Sequence, residues 1–247
     1  GYRAEAVAWR DWLLRAVAGD AAQLQIMYGV AGERRLPEMT LDWLPGYENS
    51  APVRTGNRAV TQMQLDIYGE VMDVLYQARR LGMEADPFSW SMQRNLLEFL
   101  ETLWQQPDEG LWEMRGPRQH FTHSKVMAWV AFDRAVKSAE TMSLEGPVDR
   151  WRAARQAIHN EVCTRGFDTK RGTFTQSYGS PNVDASLLMI PLVGFLPAND
   201  VRVAGTVRAI EEDLTTDAYV LRYRTEESVD GLPPGEGAFL LCSFWLA

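Results

Sequence analysis

Only two cysteines, Cys163 and Cys242, occur in 247 residues. Two thiols cannot build a disulfide framework or a thiolate zinc site, and each reads as a small buried hydrophobe. They leave the redox compartment open. Long apolar runs are also missing: Ser186 to Pro197 and Ala238 to Leu246 are broken by proline or stop short of the ~20 residues of a membrane span. A membrane is therefore not an expected partner. Positive charge is scarce, with 25 basic residues against 33 acidic ones, a formal charge of -8 and a pI near 5.0. A phosphate backbone is repelled by such a chain, which argues against nucleic acid. Of three histidines, His120 and His123 stand three apart near a helix start. With no third ligand nearby, no H-E-x-x-H and no carboxylate cluster at ligand spacing, they suit capping or substrate hydrogen bonding, and no metal is expected. G-x-S-x-G, the P-loop and the dinucleotide fingerprint are absent too, which leaves a serine nucleophile, a nucleotidase or a dinucleotide enzyme unsupported.

What is present is helical. At 46% hydrophobic and 23% charged residues the composition is globular. From Ala4 to Ala18 the residues Val7, Trp9, Leu13, Leu14 and Val17 recur near a period of 3.6 and predict a helix ended by Gly19-Asp20. Arg58 to Leu81 repeats the pattern and ends in Arg79-Arg80, which suits the helix dipole. Asp86-Pro87, an N-cap before a first-turn proline, announces a helix to about Gln105. Thr122 to Ser143 is apolar on several faces and is expected deep in the structure. Further helices are predicted at Val148 to Arg165, Val183 to Val193 and Asp200 to Leu214, with a last one starting near Gly237. The class is all-α, with room for short hairpins around Gln25 to Arg35 and Leu221 to Glu226. The chain shows no targeting peptide, which makes the cytoplasm the default location. It stops inside an apolar run, Phe239 to Ala247, so it reads as one incomplete domain cut within a helix. The connections Ala22 to Asn57, Pro107 to Phe121 and Gly166 to Asn182 are longer than packed helices require, and long ordered loops carry function.

The densest of these is Pro107-Asp108-Glu109-Gly110-Leu111-Trp112-Glu113-Met114-Arg115-Gly116-Pro117, with three carboxylates, an arginine, a tryptophan and two glycines. Glycosidic cleavage needs a carboxylic acid that keeps its proton near neutral pH, and an aromatic neighbour supplies both desolvation and a stacking face for a sugar. Glu113 beside Trp112 has that form. A purely structural alternative stays open, in which Trp112 anchors the loop and Glu113 pairs with Arg115. The loop Gly46 to Asn57 offers Tyr47, amides, hydroxyls and Arg54, a mixture suited to sugar hydroxyls or to a turn-rich connection. Glu236 stands at the start of the last helix, where the dipole favours its ionised form.

The segments Gly110-Leu111-Trp112-Glu113-Met114-Arg115-Gly116 and His120-Phe121-Thr122-His123-Ser124-Lys125-Val126-Met127-Ala128-Trp129 together resemble glycoside hydrolase family 15. These are the glucoamylase-like enzymes, whose bacterial members include trehalases. Pro52 to Asn57, Gln64 to Glu70, and Asp230 to Pro233 through Glu236 to Leu240 agree with it in order along most of the chain. The resemblance implies an (α/α)6 toroid with an active-site pocket at one end, and an inverting mechanism. It implies that Glu113 is the acid, that the Leu111 carbonyl meets the sugar, and that Trp112 and Arg115 line the pocket. His123, Lys125, Tyr47, Arg54 and Glu236 join them as candidate substrate contacts.

The chain also departs from the family pattern. The W-L-R-D-like segment that grips the nonreducing glucose has no counterpart here. Neither has the later S-E-E-like segment that carries the base, nor the N-terminal β-sandwich of bacterial relatives. The segment alone is therefore expected to be inactive. Met114, directly after the acid, favours the trehalase-like branch over glucoamylases. Two rival readings are a noncatalytic helical toroid that binds sugar or protein, and an isoprenoid cyclase, which the absent D-D-x-x-D run opposes. No cofactor is expected.

Overall fold

The computed structural model describes residues 2–83, 86–224 and 238–247. Among them are eight α-helices and three two-stranded antiparallel pairs. The chain divides into two compact units, Gly1–Met63 and Gln64–Ala247.

In the first unit, α1 (Arg3–Ala16) matches its predicted span within two residues. Asp20 caps a short 3-10 turn, Ala21–Gln23, by accepting from Ala22 N at 2.9 Å. The hairpin expected around Gln25 to Arg35 is a turn without strands. Gly29 N donates to Glu33 O, while the Gln25 side-chain amide takes the Arg34 carbonyl at 2.9 Å and so occupies a group that a ladder would use. The strand pair forms further on, where β1 (Met39–Thr40) meets β2 (Arg54–Thr55) with Met39 opposite Thr55.

The helix predicted from Arg58 to Leu81 is interrupted. Asn57 caps a separate 3-10 turn, Arg58–Thr61, Gln62 is extended, and α2 (Asp66–Arg80) begins four residues later. The cause is tertiary: the Leu65 amide is taken by the Asp108 carboxylate at 3.0 Å.

In the second unit, α3 (Pro87–Leu103) starts where Asp86 accepts from Ser89 N at 2.8 Å. Helix α4 (Thr122–Met142) packs between α2 and α5 (Val148–Arg165). Every residue from Thr122 to Val136 is buried, as the many-sided apolar pattern predicts. The approach of α2 to α4 is close enough that a Cβ at Gly69 would stand 2.2 Å from the Met127 carbonyl oxygen. Two of the charged residues that α4 carries inward, Asp133 and Arg134, are ion-paired. Asp133 binds Arg134 at 2.6 Å and Arg155 at 3.1 Å, and Arg134 reaches on to Asp73.

A hairpin of β3 (Phe167–Asp168) and β4 (Thr173–Phe174) follows. The helix predicted from Val183 to Val193 is a 3-10 turn, Ala185–Leu188, running into the single turn α6 (Met189–Leu192). Then come α7 (Val201–Leu214), one residue shorter than its predicted span because Asp200 caps it, and the pair β5 (Thr215–Thr216) and β6 (Tyr219–Val220). This hairpin precedes the stretch in which one was expected. It forms where Asp217 and Ala218 both take positive φ, +49° and +68°, which matches the twist of a two-residue hairpin turn. The expected hairpin at Leu221 to Glu226 runs into residues 225–237, outside the described residues. Helix α8 (Leu240–Leu246) ends the chain. No helix among the described residues is long and apolar enough to cross a membrane.

Candidate active site

The loop between α3 and α4 is held at its ends. Asp108 and Gln119 exchange two main-chain hydrogen bonds of 2.9 Å, and beyond them Thr122 N and Tyr178 N tie Gln176 O and His120 O, joining this loop to 166–182. Inside, residues 110–114 form a tight turn in which Glu113 N donates to Gly110 O at 3.2 Å and Met114 N to Glu109 O at 3.3 Å. Gly110 has φ +72°, and a Cβ there would lie 2.7 Å from the Phe121 ring, so the turn requires glycine. Glu113 itself is in the left-handed region, at φ +55°. Met114 is buried with Phe121 and Tyr223, Trp112 packs against them, and Glu113 remains half-buried between.

This turn forms one wall of a cavity of about 690 Å³, within the range of small-molecule sites. Leu111, Trp112, Glu113 and Arg115 contribute from the loop, Glu70 from α2, His123 from α4 and Met189 from α6. Arg222, Phe239, Leu241 and Trp245 also line the cavity. The indole of Trp112 is the most constrained group in it. Its Nε1 donates to both oxygens of Asp184 at 2.9 Å, and its ring meets Phe239 edge-on at 6.1 Å and Trp245 at 6.2 Å. The Arg222 guanidinium lies 5.3 Å over the same ring.

Burial sets the protonation of several groups around the cavity. It pushes His123 down to about 4, so the imidazole is neutral, and its Nδ1 has no hydrogen-bond partner among the described residues. Glu70, though solvent-accessible, is raised above the usual glutamate range, first by the protein that surrounds it and then by the charge of Asp73. Beneath the loop, burial lifts Asp108 to about 6 despite the Leu65 amide and the nearby Lys125 charge. Asp66 is pushed up to about 8 by burial and by the charges of Asp108 and Glu70.

The candidate residues therefore separate. Glu113, Leu111, Trp112, Arg115 and His123 meet at one cavity. Lys125 does not face it: fully buried, it donates from Nζ to the carbonyls of Trp104 and Gln106 at 2.5 Å, closing the end of α3. Expecting it at the sugar is corrected by that geometry. A Lys near a helix C-terminus satisfies orphaned carbonyls. Tyr47 and Arg54, the latter on β2, belong to the first unit and are exposed. Glu236 lies outside the described residues. His120 turns away from His123 and stacks on Tyr178 with ring centroids 5.7 Å apart. Among the described residues no three His, Cys, Asp or Glu side chains converge as metal ligands. Sequence reasoning missed Glu70, Arg222 and Asp184. Glu70 was in a quoted family block and Arg222 in a loop, but only the fold brings either to Trp112.

A model of the glycosyl hydrolases family 15 matches residues 1–247. The chain belongs to that family. Among its relatives, a trehalase of Mycolicibacterium smegmatis is 48% identical over 228 residues, covering 92% of this chain and 34% of the relative. A trehalase of Thermoplasma acidophilum is 38% identical over 245 residues, covering 99% of this chain and 42% of the relative. The chain thus spans between a third and a half of the curated relatives' length. A solved glycosidase variant in complex with glucose superposes with a TM-score of 0.68 at 22% identity, over 96% of this chain and 61% of that one. That likeness shows the fold, the mostly helical toroid type expected of family 15.

Proposed function

We propose that the complete protein to which this chain belongs is an inverting, exo-acting glycosidase that releases glucose from an α-glucoside, with trehalose the first substrate to test and α-1,4/1,6-glucan the second. The observation that carries this is Glu113 on the wall of the cavity, directly beside the anchored Trp112, in a chain of family 15. The trehalase relatives support the choice of trehalose. In this reading Glu113 protonates the glycosidic oxygen, and a base about 6.5 to 9.5 Å away activates water on the opposite face of the sugar. The base is proposed to come from an S-E-E-like segment outside this chain, and the segment alone to be inactive. Trp112 offers a ring face to the pyranose, while Arg115, Glu70 and the neutral His123 meet hydroxyls. Proton donation of this kind requires no cofactor.

The test is glucose release by the complete protein from trehalose, maltose and starch in parallel, with Glu113→Gln beside the parent. The parent should turn over at least one of the three. The variant should lose about 10²- to 10⁴-fold in kcat while still binding sugar. A parent that binds sugar without turnover would make the toroid a noncatalytic binding module instead.

A further inference from the structure

We propose that Asp184 is a positioning residue of the cavity: its buried carboxylate fixes the Trp112 indole, and through that ring the Arg222 guanidinium, in the orientation the substrate meets. The inference rests on the glycosidase reading above and names a residue that does not itself line the cavity.

Asp184 is 2% exposed, and every group that reaches it is a donor. Oδ1 accepts from Ser186 N at 2.8 Å and Ser186 Oγ at 2.6 Å, Oδ2 accepts from Gln176 Nε2 at 2.9 Å, and both oxygens accept from Trp112 Nε1. Burial raises this carboxyl above its ordinary range while the same donors pull it back. The Ser186 amide bond is the cap of the following 3-10 turn and would suffice for that turn alone. Grip on an indole 72 residues away does nothing for the cap. It does constrain where the ring lies: the hydrogen bond fixes the direction of the indole's one N–H, and the contacts with Phe239 and Trp245 limit rotation about that direction.

The next residue completes the arrangement. Ala185 N donates to the Arg222 carbonyl at 2.9 Å, so two consecutive residues hold the indole by its N–H and the arginine by its backbone. Between those anchors the guanidinium sits over the ring. An anionic acceptor at the N–H end polarises the indole and increases the electron density that the cation meets, which strengthens the cation–π contact in this partly desolvated site. Trp112 and Arg222 both line the cavity, and Asp184 acts on the sugar only through them.

The experiment is a double-mutant cycle in the complete protein, using whichever glucoside the parent cleaves. Asp184→Asn places an amide NH2 among donors, and Trp112→Phe keeps a ring but removes the N–H. Each should lower kcat/KM by about 10- to 100-fold, and the double variant should be no worse than the poorer single one by more than about 3-fold. The Trp112 indole N–H resonance should move in Asp184→Asn, and the loss should fall on KM for the glucoside in a variant assayed well below its melting range, a readout that a merely structural role would leave in place. Additive losses with an unmoved resonance would overturn the proposal. If Asp184→Asn does not fold, Trp112→Phe decides alone, since unchanged kcat/KM there means the N–H bond positions nothing. Glu113→Gln run alongside separates the two readings: full turnover in that variant sinks the acid assignment, whereas its loss together with an additive cycle sinks only the role of Asp184.

Discussion

The Asp108 carboxylate accepts the Leu65 amide at 3.0 Å across 43 residues of chain. One partner lies at the foot of the loop that carries Glu113, and the other is the residue before α2, which carries Asp66 and Glu70. The loop of Glu113 and the helix of Glu70, both of which line the cavity, are therefore referenced to one buried junction.

That junction makes stability depend on pH. Asp66 is pushed up to about 8 and Asp108 to about 6, each by burial first. An acid whose folded pKa exceeds its unfolded value holds more protons when folded, so its contribution is complete below about pH 4 and is lost as pH rises through the folded value. His123, pushed down to about 4, acts with the opposite sign and only at the acid end, as pH falls from about 6.5 to about 4. The melting temperature of the complete protein should fall between pH 5 and pH 8, and Asp66→Asn should flatten that fall by about 3 °C or more. Circular-dichroism melts of both proteins at four pH values check it, and an equal slope in the variant would assign the dependence to other groups.

Gly69 is a point of close approach between α2 and α4. Adding one methyl group 2.2 Å from the Met127 carbonyl oxygen forces the two helices apart. Gly69→Ala should destabilise the protein by about 1 to 3 kcal/mol, more than its better helix propensity returns. Urea denaturation measures the difference, and a stabilised variant would mean that α2 shifts freely.

Lys125 gives a contrasting expectation. Replacing it by Met keeps the apolar stem but strips the donors from the Trp104 and Gln106 carbonyls. The expected cost is about 1 to 3 kcal/mol of stability, with KM for the glucoside unchanged within about twofold once the variant is assayed below its melting range. A large rise in KM at undiminished stability would return Lys125 to the sugar.

Local chemistry is what the chain states openly. Asp86-Pro87 announces α3 because an N-cap and a first-turn proline act within four residues, and α4 is legible because an all-round apolar helix has nowhere to lie but inside. Glu113 and Trp112 stand adjacent in the chain and stay adjacent in the cavity wall. What was not legible depends on distant partners. The break before Asp66 needs Asp108, the strands at Met39 and Arg54 need each other across a loop, and Asp184 reaches Trp112 from far along the chain. The same blindness put Lys125 at the sugar, since the block in which it stands does not say which carbonyls await it.

Glu113 occupies a backbone conformation that a side chain with a Cβ adopts at a cost of roughly 1 to 2 kcal/mol and that glycine adopts freely. Glycine at this position would relieve that cost. On the role proposed for Glu113, thermostabilising design guided by backbone preference alone would erase the proton donor first.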